Sequence, residues 1–129
     1  MTPDDLADRL DQAADRIGPT VERRIRHVGT LGIASIRANA SGRPGPNVIT
    51  GAYRASWQST TRRIPYGAQC TLGSDAPQAR RLEFGFFDMT DSLGRHYMQP
   101  PFPHVQPALP RLGATLRTQI RHAVEEVFA

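Results

Sequence analysis

The sequence predicts an α+β fold in which long N-terminal and C-terminal helices pack on a small antiparallel β-sheet, with a short helix and two long loops. Two observations predict it: apolar residues recur at helical spacing at both ends of the chain, and side chains alternate at strand spacing in the middle. The chain has 129 residues, including 11 glycines and 11 prolines, which suits one modest core with much irregular connection. We therefore expect residues 1–129 to form a single domain.

The first predicted helix runs from Thr2 to about Ala38. Its apolar face has the three- and four-residue spacing of one helical side and consists of Leu6, Leu10, Ala13, Ile17, Val21, Ile25, Val28, Gly32 and Ile36. Thr2 or Asp4 is suited to cap its start. Because proline lacks a backbone donor, Gly18-Pro19 is expected to kink or divide this helix.

Strand spacing follows in the middle of the chain. Residues 53–61 alternate between aromatic or small side chains and polar ones, which indicates a strand with one buried face. Residues 65–67 are expected to turn the chain into a partner strand over residues 68–73, completing a hairpin. A short helix is then predicted to begin near Pro77 and to end at Phe84.

Two segments rich in glycine, proline and short polar residues, 39–52 and 85–103, are predicted to be long loops. Loops of this length are uncommon in a small domain unless they have a function, so we expect both to be assembly loops that contact partner proteins. The last helix follows Pro107, and its apolar stripe consists of Leu109, Leu112, Leu116, Ile120, Ala123 and Val127.

Charge is unevenly distributed along the chain. All 16 Lys or Arg positions are arginine and the formal net charge is +4. Residues 1–19 carry five acids and two arginines, whereas residues 20–63 carry eight arginines and only Glu22 as an acid. The lone Cys70 excludes an internal disulfide, and an acidic N-terminus with no long apolar run predicts a protein made in a cytosol, with no membrane partner.

Three motifs occur in a fixed order along the chain: Thr50-Gly51-Ala52-Tyr53-Arg54-Ala55-Ser56, Leu82-Glu83-Phe84-Gly85, and Pro101-Phe102 followed by Pro107-Ala108-Leu109. In this order they resemble the HK97 gp10-like family of tailed-bacteriophage proteins. The resemblance spans roughly residues 20–128 and rests on the order of the motifs and on the helices that flank them.

This resemblance implies a structural virion protein, with no enzymatic activity and no cofactor. Members of the family are neck or tail-completion components, and several are tail terminators that form a ring between tail and head. The resemblance thus implies a hexameric ring of this chain at the head–tail junction, assembled in the cytoplasm of the host bacterium. Its partners would be the tail tube protein and a head-side neck protein, with DNA passing through without sequence-specific binding. A head-side stopper or connector is the alternative within this class.

The expected subunit and partner interface lies on the predicted loops and the elements next to them. It consists of Arg43, Tyr53, Arg54, Glu83, Phe84, Phe86, Phe87, Arg95, Phe102, Pro103 and His104. Glu83 is expected either to pair with an arginine such as Arg54 or to accept backbone donors from a neighbouring loop. Phe102, between prolines, either covers the core of its own subunit or fills a pocket on the next one.

Two other functions compete with the ring protein. Arg23, Arg24, Arg26, Arg62 and Arg63 would contact nucleic acid in a small basic binding protein. A hydrolase would use Glu83 with His96 or His104. The four histidines match no compact zinc pattern, so we expect no metal site.

Overall fold

The α+β prediction is confirmed by a computed structural model, which describes residues 1–65 and 67–129. Long helices lie at the two ends of the chain, and the described strands form two antiparallel two-stranded sheets. The elements are α1 (Pro3–Asn39), α2 (Ala52–Ala55), β1 (Gln58–Ile64), β2 (Gly67–Gly73), α3 (Ala79–Phe84), β3 (Phe86–Thr90), β4 (His96–Gln99) and α4 (Leu109–Phe128). None of the described helices is both long and apolar enough to cross a membrane.

Helix α1 begins with the predicted cap at Thr2. The Thr2 N–H donates to Asp5 Oδ2 at 2.9 Å and the Asp5 N–H donates to Thr2 Oγ1 at 3.1 Å, so each residue satisfies a donor of the other. The predicted division at Pro19 does not occur, because the helix continues through it. Arg16 on one side of Pro19 and Arg24 on the other both bind the end of α4, and these contacts offset the missing backbone hydrogen bond.

The predicted strand from Tyr53 was wrong in its first half. Residues 52–55 form the single turn α2, and the strand begins only at Gln58. The turn follows Gly51, whose φ of 83° favours glycine, and the Ser56 hydroxyl donates to the Tyr53 carbonyl. Strand β2 matches the predicted partner strand. Tyr66, in the predicted turn between them, lies outside the described residues.

The segment 85–103 contains a hairpin where the sequence predicted a loop. Strands β3 and β4 pair antiparallel, with an irregular register in β3, through the pairs Phe86–Gln99, Met89–Tyr97 and Thr90–His96. Asp91 orders the turn, because its carboxylate accepts the N–H groups of Leu93 and Arg95, both at 2.9 Å. These side-chain contacts do not belong to a sequence pattern that indicates a hairpin. By contrast, residues 40–51 hold no helix or strand, as predicted.

The chain comprises two compact units, each built from separate stretches. Unit 1 contains residues 1–31, 59–72 and 111–129, and unit 2 contains residues 32–58 and 73–110. Both α1 and α4 contribute residues to each unit. The expectation of one domain stays a prediction.

In unit 1, α1 lies close against the β1–β2 hairpin at Gly29. A Cβ built on Gly29 would lie 2.5 Å from Cys70 Sγ and 3.4 Å from Ser59 Cβ. Ala13 and Val28 of α1 are buried, as are Ala123 and Val127 of α4. The core of unit 1 therefore requires a helix surface without a side chain at Gly29.

We expect Gly29→Ala to lower the free energy of unfolding by about 1–2 kcal/mol, because the added methyl group overlaps Cys70 and the overpacking exceeds the gain in helix propensity. Gly113→Ala is the matched control. No atom lies within 4 Å of a Cβ at Gly113, so this change should raise the free energy of unfolding by up to about 1 kcal/mol. Urea denaturation measures both, and equal stabilisation by the two changes would contradict the close packing at Gly29.

Candidate functional site

Glu83, on the last turn of α3, is the centre of a buried polar cluster in unit 2. The residue is 9% exposed. Its Oε2 atom accepts the N–H groups of His104 at 2.8 Å and Val105 at 3.0 Å, and its Oε1 atom accepts the N–H of Gln106 at 2.9 Å. One carboxylate thus satisfies three consecutive backbone donors just before the 3₁₀ turn Gln106–Ala108.

Of the two roles expected for Glu83, the structure shows the acceptance of backbone donors. Arg54, the other expected partner, instead donates from Nη1 to the Ser41 hydroxyl at 3.0 Å. Burial by itself would raise the pKa of Glu83. The N–H groups of residues 104–106 nevertheless lower this pKa overall. The carboxylate therefore remains ionised at neutral pH.

His104 is fully buried and connects Glu83 to Tyr53. Its Nδ1 atom lies 2.9 Å from the Phe102 carbonyl oxygen and 3.0 Å from Glu83 Oε2. Since both of these oxygens only accept, Nδ1 carries a proton. In the neutral ring, Nε2 then accepts the hydrogen bond of the Tyr53 hydroxyl. Both ring nitrogens of His104 therefore have partners.

Aromatic contacts surround this hydrogen-bonded chain. The rings of Tyr53, Trp57 and His104 pack edge to face, with centroid separations of 5.5 Å for Tyr53–His104, 5.7 Å for Trp57–His104 and 6.4 Å for Tyr53–Trp57. Burial raises the pKa of Tyr53, and the negative charge of Glu83 adds to this shift. Tyr53 therefore keeps its proton and acts as a donor.

Tyr53, His104 and Glu83 are hydrogen-bonded in the order of a catalytic triad. Here, however, their polar atoms bind other groups inside the protein. The His104 side chain has no exposed surface, and the Glu83 carboxylate accepts three backbone donors. His96, the other histidine considered for catalysis, lies on β4, outside the Glu83 contacts. The geometry favours a structural role, in which the cluster holds α2, α3 and residues 102–106 together.

The structure divides the expected interface residues into two groups. Tyr53, Glu83, Phe102 and His104 lie in or beside the buried cluster, where Arg43 stacks on the Phe102 ring at 3.9 Å. Arg54 follows Tyr53 on α2. Pro103 is half-buried next to them. The second group belongs to the β3–β4 hairpin and its base and consists of Phe84, Phe86, Phe87 and Arg95.

Both ends of the hairpin are fixed by backbone contacts. The Phe102 N–H donates to the Leu82 carbonyl at 2.7 Å, and the Gly85 N–H donates to the Arg81 carbonyl at 2.7 Å. Gly85 has φ of 71°, and a Cβ there would lie 2.5 Å from the Gln99 carbonyl oxygen. Glycine is therefore required at this point of the Glu-Phe-Gly motif, because any side chain would separate the two strands.

The β3–β4 hairpin exposes large apolar side chains to solvent. Phe87 is 70% exposed, Leu93 75% and Met98 72%, and Phe84 at the base is 67% exposed. Sequence analysis missed Leu93 and Met98 as candidate contacts, although six large apolar residues between positions 84 and 98 are more than a solvated loop requires. It also missed Asn39, whose amide donates to the His104 carbonyl at 3.1 Å.

Comparison with known proteins adds no family assignment. The sequence matches no protein-family model, none of the curated proteins and none of the solved structures searched. Within residues 1–65 and 67–129, no group of three or more His, Cys, Asp or Glu side chains is placed to hold a metal ion.

We expect Glu83→Gln to lower the free energy of unfolding at pH 7 by about 2–3 kcal/mol, because an amide has only one acceptor oxygen for three buried N–H groups. The folded-state pKa of Glu83 is below its ordinary value of 4.5. The stabilisation is thus complete above the unfolded-state pKa and is lost as the pH falls through the folded-state pKa. Urea denaturation at several pH values should show the difference from wild type shrinking below about pH 4.5. The exposed Glu125→Gln is the control, and a pH-independent difference would contradict the assignment.

Tyr53→Phe should lower the free energy of unfolding by about 1–3 kcal/mol, since it leaves His104 Nε2 buried without a donor. Tyr97→Phe is the matched control. That hydroxyl donates to Asp91 Oδ2 at 3.0 Å on an exposed residue, so its loss should cost less than about 0.5 kcal/mol. Thermal unfolding of both variants measures the difference, and equal effects would rule out a structural role for the Tyr53–His104 bond.

Proposed function

We propose that this protein is a ring-forming subunit at the head–tail junction of a tailed bacteriophage, acting as the tail terminator. One observation carries the proposal: the three motifs that resemble the phage family converge on one cluster. Tyr53 comes from the first motif and Glu83 from the second, and both bind His104, which lies between the two parts of the third motif. Phe102 of the third motif donates its N–H to the Leu82 carbonyl of the second.

The consequence of the cluster is a rigid base for the β3–β4 hairpin. Glu83 fixes residues 104–106, and the Leu82–Phe102 hydrogen bond closes the hairpin directly beside it. In a protein that acts as a monomer, these exposed apolar side chains would promote aggregation. In an assembly, they would pack against a partner. This supports a subunit that contacts other proteins through its hairpin.

A ring also accounts for the strand edges. An isolated two-stranded hairpin is marginally stable, and its outer edges present unpaired backbone groups. Neighbouring subunits would cover these edges and the exposed apolar side chains. Head-to-tail contacts between identical subunits form a closed ring when the rotation allows it. The family resemblance suggests six subunits, in contact with the tail tube protein on one side and a head-side neck protein on the other.

The ion pairs of unit 1 favour this function over nucleic-acid binding. Arg23 and Arg24 bind the Glu126 carboxylate, the latter at 2.7 Å. Arg26 and Arg63 bind Glu22 at 3.0 and 3.4 Å. The remaining candidate, Arg62, donates to Gln69 Oε1 at 2.9 Å. The arginines proposed to contact phosphates thus already have partners in the chain.

Electron microscopy of lysates from a phage that lacks this gene tests the proposal. Filled heads with separate tails of irregular or excess length would support a tail terminator, because an uncapped tube continues to polymerise. Tails of normal length with heads that have lost their DNA would place the protein on the head side of the neck. Intact infectious particles would refute a neck function.

We expect the combined change Phe87→Ser, Leu93→Ser and Met98→Ser to reduce complementation of that deletion at least about tenfold, because interface energy concentrates in a few apolar contacts. Its unfolding temperature should remain close to that of wild type, since all three side chains lie in solvent. Val124→Ser, on an exposed position of α4, should complement normally. Full complementation by the triple variant would remove the hairpin from the interface.

A further inference from the structure

A cleft in unit 2 has an unbalanced charge. It has a volume of about 530 Å³ and lies between residues 40–54 and Phe102. Arg43 and Arg54 line it, and none of its described lining residues is acidic. Ile49 and Val48, which are 94% and 42% exposed, form an apolar wall. The cleft is therefore suited to a negatively charged segment that also has an apolar side.

The two arginines are held in place before any ligand binds. Arg43 stacks on Phe102 at 3.9 Å and donates from Nη1 to the Gly45 carbonyl at 3.2 Å. Arg54 donates to Ser41 Oγ at 3.0 Å. Neither forms an ion pair with a carboxylate of the described residues. Because each guanidinium has five N–H donors, both retain donors for an anion, and their fixed positions reduce the entropy lost on binding.

The first turns of α1 carry the complementary charge. Four exposed aspartates at steps of four, three and four residues lie on one helical face, opposite Leu6 and Ala13, and are here named the acidic stripe: Asp4, Asp8, Asp11 and Asp15. Within the described part of the chain, these four form no hydrogen bond or ion pair. The nearby Arg9 and Arg16 instead donate to the carbonyls of Phe128 and Val127, at 2.9 and 2.6 Å.

We propose that the acidic stripe of one copy docks into the Arg43–Arg54 cleft of the next copy. This inference rests on the proposed ring function and names the surfaces that meet. Carboxylate and guanidinium form short, charge-assisted, bidentate hydrogen bonds, and the small side chains of Ala7 and Ala14 beside the stripe allow the helix to approach the wall at Ile49. Each copy carries both surfaces at different places, so the contact is head-to-tail and repeats from copy to copy.

A protein carboxylate fits the cleft better than a phosphate backbone does. The exposed wall of Val48 and Ile49 would remain in water beside a phosphate chain, whereas the helix covers it. Four aspartates of the N-terminal segment form no ion pair within the described residues, in contrast to Glu22 and Glu126, which bind arginines of their own unit.

Sedimentation velocity on the full chain tests the contact with two charge-reversed proteins. The cleft variant combines Arg43→Asp with Arg54→Asp, and the stripe variant combines Asp8→Arg, Asp11→Arg and Asp15→Arg, leaving Asp4 at the start of the helix. Wild type should form oligomers that weaken as salt rises. Each variant alone should associate about 100-fold more weakly or not at all.

Mixing the two variants gives the sharpest outcome. The stripe of the cleft variant and the cleft of the stripe variant remain intact, and the two reversed surfaces are themselves opposite in charge. An equimolar mixture should therefore associate, although neither variant associates alone. The control combines Arg111→Asp with Arg117→Asp, two exposed arginines outside the cleft, and should assemble like wild type. Circular dichroism establishes that every variant is folded.

Several results would overturn this contact. If the cleft variant forms the same oligomers as wild type, this contact is wrong and the ring proposal still stands. A wild-type chain that stays monomeric at its solubility limit would also do so, and the lysate microscopy would still decide the neck function separately. Binding of a duplex oligonucleotide that the cleft variant loses, without self-association of wild type, would assign the cleft to phosphates instead.

Discussion

The hydrogen bonding of the buried Glu83 carboxylate is the interaction on which the structure of unit 2 depends. A charge out of water is costly unless hydrogen bonds replace its hydration. Here three consecutive N–H groups do so, and the same bonds satisfy donors that would otherwise remain unpaired before a 3₁₀ turn. The bond to Glu83 holds the backbone at residue 104, and the His104 side chain lies in the interior. A buried imidazole requires partners for both ring nitrogens, and the Tyr53 hydroxyl binds Nε2.

This constraint explains why a flexible-looking segment is ordered. Residues 100–103 contain three prolines, which limit the conformations of the chain without specifying one. The Glu83 contacts on one side and the Leu82–Phe102 bond on the other select the conformation that closes the β3–β4 hairpin. The hairpin is thereby held at its base while its apolar side chains remain exposed. Stability near the cluster and exposure of apolar side chains on the hairpin thus arise from one arrangement.

Charge has different roles in the two units. In unit 1, Glu22 and Glu126 each bind two arginines, so two carboxylates balance half of the positive charge of these four arginines. Such exposed pairs add little to stability, but they remove positive charge that would attract nucleic acid. Among the described residues, Arg43 and Arg54 of unit 2 form no ion pair with an acid, and the acidic stripe of α1 forms none with an arginine or histidine. Electrostatic complementarity of this kind acts on recognition and association rate more than on folding.

The sequence by itself determined the elements whose signal is periodic. Both long helices, the Thr2 cap, strand β2 and the short helix before Phe84 follow from spacing and capping chemistry, which depend on near neighbours in the chain. Glu83, Phe102 and His104 were also identifiable as important residues. Only the tertiary structure decided the short helix at Tyr53, the hairpin at 86–99 and the choice of backbone donors over Arg54 for Glu83. The bonds of His104 to Glu83 and to Tyr53 join residues 21 and 51 positions apart, and the hairpin is closed by the bond between Leu82 and Phe102. No local pattern records which distant groups will share a buried hydrogen bond.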